Sequence, residues 1–323
     1  MSRQVVVGVD GGTPSLEAVR WAALAAHRRG ASLRVVLAYH WQVPAVFAPR
    51  GDLAETAQQL AEMLAADAAR AAAAAAAGLD VTAEAALGHP AEVLLRAGHA
   101  AELLVVGTRG RHQAVGAVLG SVAQQVATHA TCPVVVVRGR ADPSGGVLVG
   151  VDGSPSADAA LESAFIEAAR WDCDVVAVRA IETPIGPPAV GLPPLLYDTA
   201  ETRRTLGEAA TAHVAAAGQR HPQVPWEVHG VAGDAADVLC DRSRRARLVV
   251  VGSRGHGGFA GLLLGSVGLR LLHRADCPVL IIRRQPASTA PVTAAHTAAT
   301  GPQRLGRQRD GWPPGSPTPA ADR

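Results

Sequence analysis

The chain repeats itself at a spacing of about 145 residues, so whatever fold it adopts must be built twice. Val5 to Ser15 reads VVVGVDGGTPS, and Val147 to Ser156 reads VLVGVDGSPS. Four further pairs lie 145 residues apart: GHPAEVL from Gly88 and GDAADVL from Gly233, LVVGTRG from Leu104 and VVVGSRG from Val249, LGSV from Leu119 and from Leu264, and TCPVVVVR from Thr131 and DCPVLIIR from Asp276. The division that follows is a first domain over 1–139, a linker over 140–145 marked by its Pro, Ser and Gly, and a second domain over 146–284. Residues 285–323 have no counterpart in the repeat. Rich in Pro, Ala and Arg and without apolar periodicity, they read as a disordered tail, having too little branched apolar surface to offset chain entropy.

Within the first copy, short β-branched runs alternate with Ala-rich helical patterns. Strands are expected at Val5 to Val9, Leu33 to Tyr39, Leu79 to Ala85, Leu103 to Val106 and Val134 to Val137, each apolar enough to be buried on both faces. Helices are expected at Pro14 to Arg29, Leu53 to Ala77, Pro90 to Ala100 and Ser121 to Ala130, with Pro14 and Pro90 in first-turn positions that tolerate proline. Five strands alternating with four helices define an α/β domain, a parallel sheet covered on both faces. The second copy follows the same pattern, with a Pro-rich loop from Thr183 to Pro194.

Composition removes several kinds of chemistry. All 30 basic residues are arginine, and there is no lysine or asparagine. A Schiff-base or nucleophilic lysine, the P-loop lysine, the strand lysine of protein kinases and N-glycosylation are thereby excluded. A net charge of +2 and only five Trp, two Tyr and three Phe argue against a nucleic-acid binder, which needs a basic stripe and bases to stack on. Cys132, Cys173, Cys240 and Cys277 are too far apart for metal knuckles and too few for a disulfide scaffold, so a reducing cytoplasm is expected. No side-chain cluster with metal-ligand spacing is visible. The N-terminus reads as a strand rather than a signal peptide, and no apolar run is long enough to span a membrane, so no membrane association is expected.

In doubly wound sheets ligands sit beyond the C-terminal ends of the strands, and the glycines gather there. After the fourth strand, Gly107-Thr-Arg-Gly110 is followed by nine residues and then Gly120-Ser121, which opens a helix; the second copy has Gly252-Ser-Arg-Gly255, nine residues and Gly265-Ser266. Such a loop lets backbone N–H groups approach a phosphate, with the helix start adding unpaired N–H groups and a positive dipole end, and the serine a further donor. The plainer reading is that these glycines turn the chain and Ser121 caps a helix. Identical spacing in both copies favours the phosphate loop.

The combination of G-x-x-G, nine residues and G-[ST] with the VGVDG opening and the CPV start of the last strand resembles the universal stress protein family in its tandem, nucleotide-binding form. The resemblance covers roughly 280 of the 323 residues. It implies two Rossmann-like, doubly wound domains, each with a five-stranded parallel sheet in the order 3-2-1-4-5, related by a pseudo-two-fold axis, and each binding ATP, with Mg2+ arriving on the nucleotide. By the same resemblance Gly107, Gly110, Gly120 and Ser121, with Gly252, Gly255, Gly265 and Ser266, would hold phosphates and ribose. Asp10 and Asp152 would meet the nucleoside or a metal's water, and Ala38 and Ala180 would offer backbone to adenine. Val122 and Val267, next after the serines, complete the two sets.

Other candidates divide between function and structure. Asp10 and Asp152 are either ligand contacts or Asx-turn acceptors. Arg109, Arg111 and Arg254 flank the glycines and either pair with phosphate or are solvated. His112 and His256 do not occupy matching positions, which argues against a shared catalytic histidine. Cys132 and Cys277 precede proline at strand starts, where a small buried residue is the ordinary case. The resulting expectation is an intracellular ATP-binding stress regulator that works with an unidentified protein partner and has no dedicated catalysis. The alternatives are a slow ATPase or phosphotransferase, or a binder of another adenine nucleotide such as cyclic AMP. The fifth strands would leave apolar sheet edges, so the two copies are expected to pair along them, antiparallel; a homodimer is the alternative use of such an edge.

Overall fold

The structure is a computed structural model that describes residues 3–40, 51–108, 119–140, 144–181, 199–255 and 263–283. The expected tail, the middle of the linker and the Pro-rich loop lie outside the described residues. The first half contains β1 (Gln4–Val9), α1 (Thr13–Arg29), β2 (Ser32–Tyr39), α2 (Gly51–Ala75), β3 (Val81–Leu87), α3 (Pro90–Gly98), β4 (Leu103–Gly107), α4 (Ser121–His129) and β5 (Val134–Val137). The second repeats it with β6 (Val147–Gly150), α5 (Pro155–Trp171), β7 (Val175–Ile181), α6 (Thr199–Gly218), β8 (Trp226–Ala232), α7 (Ala235–Arg242), β9 (Leu248–Gly252), α8 (Ser266–Arg274) and β10 (Val279–Ile282).

All ten strands form one sheet in the order β3-β2-β1-β4-β5-β10-β9-β6-β7-β8. Each half therefore has the order 3-2-1-4-5, every pairing within a half is parallel, and the halves meet where β5 and β10 run antiparallel. Val136 pairs with Val279, Val135 with Leu280 and Val134 with Ile281. The two apolar edges anticipated from the sequence thus cover each other, which removes an exposed strand edge from each half.

Strand alternation divides the interior into two cores. Val135 and Val137 of β5 and Leu280 and Ile282 of β10 point into the core under α1, α2, α5 and α6. Their neighbours Val134, Val136, Val279 and Ile281 point into the core under α3, α4, α7 and α8. Both cores run across the seam. On the first face, Arg29 in α1 donates to Glu167 in α5 at 2.5 Å, with both side chains buried, and Trp21 lies 5.9 Å from Trp171. Arg170 adds a 2.9 Å pair to Glu102.

Two expectations need correction. The outer strands β3 and β8 are not buried on both faces: Thr82, Ala83 and Leu87 are exposed, as are Trp226, Glu227 and Gly230. They are the sheet's edges, each covered by neighbours on one flank alone. β3 also begins two residues later than its apolar run, because the Leu79 N–H turns back to the Ala76 carbonyl and pairing with β2 starts at Leu33 opposite Val81.

Candidate functional site

The sequence VDG at the end of β1 and β6 is shaped by a turn. Gly11 and Gly153 have φ of 78° and 84°, values that side chains with a Cβ seldom adopt. The turn brings the next N–H back to the carboxylate: Gly12 donates to Asp10 Oδ1 at 3.0 Å, and Ser154 to Asp152 Oδ1 at 2.8 Å. The Asx-turn reading of both aspartates is therefore realised, while the same turn presents each side chain at the C-terminal end of the sheet.

At the end of β4 the chain crosses back to α4. The Gly120 N–H donates to the Thr108 carbonyl at 2.8 Å, and in the second half the Gly265 N–H makes the same bond to Ser253 at 2.8 Å. Gly120 and Gly265 are the N-caps of α4 and α8, not Ser121 and Ser266, and no side chain among the described residues caps either helix. The plain capping role for Ser121 is thus corrected: the serine is the first helical residue, and among the described residues no side chain takes up the first-turn N–H groups.

These elements enclose a cavity of about 630 Å3 in the first half, at the C-terminal ends of β1, β2 and β4. Asp10, Ala38, Gly107, Gly120, Ser121 and Val122 all line it, and six of the eight residues expected at this site are thereby brought together. Arg109 and Gly110 fall outside the described residues, as do Arg111, His112 and His256. Sequence reasoning missed the other wall. Tyr39 and His40 continue β2 beyond Ala38, and Leu60 and Leu64 of α2 close the apolar side, with Leu64 packed against Gly11. The amphipathic pattern of α2 was the available signal, yet it does not say which part of the sheet the helix covers.

The second half places Asp152, Ala180, Gly252, Arg254, Gly255, Gly265, Ser266 and Val267 at corresponding positions along its elements. The Ser156 hydroxyl donates to the Arg254 carbonyl, and a Cβ on Gly255 would lie 2.7 Å from Asp152 Oδ2, so the loop is folded onto the aspartate turn. The two glycines of this loop have different reasons. A Cβ on Gly252 would meet the Ser156 carbonyl oxygen at 2.6 Å, so the fold itself requires glycine. Among the described residues a Cβ on Gly265 would meet nothing closer than 3.6 Å, and its φ is −73°, so none of them requires glycine there.

The cysteines behave as core residues. Burial pushes the Cys132 thiol up to about 11 and the Cys277 thiol to about 12, and raises Cys173 and Cys240. Such thiols stay protonated and poorly nucleophilic near neutral pH. Among the described residues no three His, Cys, Asp or Glu side chains gather in a metal-holding group, and no helix is long and apolar enough to cross a membrane.

The universal stress protein family model matches the chain twice, over residues 1–138 and 145–283. A universal stress protein of Mycolicibacterium smegmatis is 35% identical over 292 residues, covering 86% of this chain and 96% of that protein. One from Mycobacterium tuberculosis is 34% identical over 302 residues, covering 87% of this chain and 97% of its own. Among solved structures, a universal stress protein from Archaeoglobus fulgidus superposes with a TM-score of 0.65 at 20% identity, covering 88% of this chain and all of that one, a likeness of fold. With both halves matched and full-length relatives above 30% identity, the chain belongs to the universal stress protein family.

Proposed function

We propose that the protein binds adenine nucleotide, ATP with Mg2+, at one site in each half, residues 1–139 and 146–284, and acts in a stress response through the shape or partners that the nucleotide selects. The observation that carries this reading is the first-half cavity. Its volume lies within the roughly 300–1,000 Å3 of small-molecule sites, and it joins an apolar wall to a polar end where a helix start that no described side chain caps meets a carboxylate. Adenine fits beside Ala38 and Leu64, and phosphates fit against the N–H groups of Ser121 and Val122, where the helix dipole favours negative charge. The Asp10 carboxylate is an oxygen donor of the kind Mg2+ accepts, directly or through water. Gly265 supports the same reading for the second half: among the described residues nothing crowds that N-cap, which leaves room for an outside group against the helix start.

Binding rather than dedicated catalysis follows from the residues available. The chain has no lysine to neutralise β- and γ-phosphates. Turnover should stay far below the roughly 1–100 per second of kinases. The four free cysteines, three of them buried, favour a cytoplasmic setting. Mass spectrometry of small molecules released from the denatured protein tests the reading, together with calorimetric titration of Mg-ATP. Recovery of ATP is expected; recovery of cyclic AMP would change the ligand while keeping the site, and no binding at millimolar ATP would overturn the proposal.

A further inference from the structure

The two halves differ in chemistry at one place beside the aspartate turn. Leu37 of β2 is 4% exposed and lines the first cavity. It continues the row of Leu33 and Val35, which strand alternation turns toward α1 and α2. Gly8 stands opposite Val36 in the β1–β2 register, and Gly150 stands opposite Val178 in the β6–β7 register. The residue that follows in the second half, Arg179, therefore holds the place that Leu37 holds in the first. It continues the row of Val175 and Ala177 on the corresponding face.

Packing gives no reason for a guanidinium there, since a leucine fills the same place in the first half. Arg179 is partly buried, and its Nη1 donates to the Val151 carbonyl at 3.3 Å, one residue before Asp152. That is its one hydrogen bond among the described residues, and none of their carboxylates lies within ion-pairing distance of it. A planar cation, all donors and no acceptor, is thus brought to the end of the sheet with most of its hydrogen-bonding capacity unused by those residues. Withdrawing such a charge from water costs free energy unless acceptors meet it.

We propose that Arg179 sets the specificity of the second site, which takes a guanine nucleotide in preference to an adenine one. This rests on the nucleotide reading above and narrows it for the second half. With phosphates at the start of α8, the base lies toward β7, as adenine lies toward Ala38 of β2 in the first half. Guanine presents two acceptors, O6 and N7, along one edge, and a guanidinium fork meets both. Adenine presents N7 beside the N6 amino group, a donor that arginine cannot satisfy. Mg-ATP still enters, more weakly. At the first site Leu37 offers neither base a polar partner, so the preference belongs to the second half alone.

Calorimetry on the full chain carrying Gly120→Val, which blocks the first site, tests this with Mg-ATP, Mg-GTP and Mg-ITP. Inosine triphosphate keeps O6 and N7 and lacks the 2-amino group of guanine. GTP and ITP should each bind about fivefold or more tightly than ATP. Arg179→Leu, which installs the first half's residue, should remove that preference, and Arg179→Lys, which keeps the charge and loses the fork, should retain only part of it. Thermal melting checks that each variant is folded; should Arg179→Leu not fold, Arg179→Lys and the ITP comparison carry the test. ATP binding as tightly as GTP overturns the proposal, as does a preference that survives Arg179→Leu. ITP that binds like ATP also overturns it, since the 2-amino group would then be what the site reads. A wild type that binds none of the three overturns the nucleotide reading itself, a result distinct from a second site that does not discriminate.

Discussion

The Ser156 hydroxyl donates to the main-chain carbonyl of Arg254, tying the first turn of α5 to the loop that follows β9. Ser156 is the second residue of its helix, after the N-cap Ser154 and Pro155. In the first half the N-cap is Gly12, and the second helical residue is Pro14, which has no donor to offer. One extra residue in VDGGTPS relative to VDGSPS shifts the serine out of register with respect to the helix start.

Ser156→Ala should therefore tighten Mg-ATP binding at the second site. A phosphate held by Gly255 and the Asp152 turn competes with the contact that holds Arg254 there, and removing a hydrogen bond worth about 0.5–1.5 kcal/mol favours the ligand by about two- to tenfold. Calorimetry in a Gly120→Val background isolates the effect; unchanged or weaker binding would mean that the bond does not oppose ligand entry.

The wild type should take up two equivalents of nucleotide, with the first site the tighter, since in the second the Ser156 bond holds Arg254 against the aspartate turn. Gly120→Val and Gly265→Val should each leave one equivalent and the double variant none, because a branched side chain occupies the space a phosphate needs. The double variant should still be folded, since both positions are helix N-caps at strand ends, and at position 265 the described residues leave ordinary contact distances for a Cβ; thermal melting checks this. One equivalent in the wild type would show that one half is structural.

How far the sequence revealed this site depended on distance along the chain. The repeat gave two like domains, and the loop spacing brought together Gly107, Gly120, Ser121 and Val122, which share a cavity with Asp10 and Ala38. Those signals are local or are copied in both halves. Leu60, Leu64 and His40 were not legible, because their place depends on how α2 lies over the sheet, a tertiary choice that period alone does not encode. The Ser156 bond and the reach of Arg283 to the α4 carbonyls of the other half were hidden for the same reason: serine and arginine are ordinary surface residues until the partner backbone is in place.

The buried pair between Arg29 and Glu167 joins the two halves, and breaking it should cost more than any surface pair. Glu167→Ala would leave the Arg29 guanidinium enclosed without its nearest carboxylate, at roughly 3–5 kcal/mol. Arg29→Met combined with Glu167→Leu should recover most of that loss, since a well-packed apolar pair avoids the desolvation cost. Urea unfolding of the three variants measures it; a Glu167→Ala loss below about 1 kcal/mol, as for a surface pair, would show that water reaches the arginine.

Alkaline pH should destabilise the protein through its thiols. Cys132 and Cys277 are raised from 9.0 to about 11 and about 12 by burial, so above pH 9 the folded chain retains protons that the unfolded chain releases. Unfolding is then favoured as pH rises, and this contribution, complete below pH 9, is lost progressively up to about pH 12. Cys132→Ala combined with Cys277→Ala should flatten the decline in melting temperature over that window. A decline of the same slope in this variant would assign it to other groups.

The first half alone offers a test of what holds the seam together. Residues 1–141 would expose the edge of β5, whose four valines are buried in the whole chain, and an antiparallel pairing of two such edges can replace the β5–β10 contact. Arg138 would find in the partner's α4 the counterpart of the α8 carbonyls it now holds. Arg29 would fare worse, because the position matching Glu167 is Ala25, an apolar residue, and each partner would bring a buried arginine without that carboxylate. The fragment should dimerise, and Arg29→Met should strengthen the dimer by removing two poorly compensated charges. Light scattering at tens of micromolar decides between outcomes: a monomer in both forms would mean that strand pairing is too weak to join the halves without the covalent linker, and a dimer unaffected by Arg29→Met would mean that the arginines reach solvent.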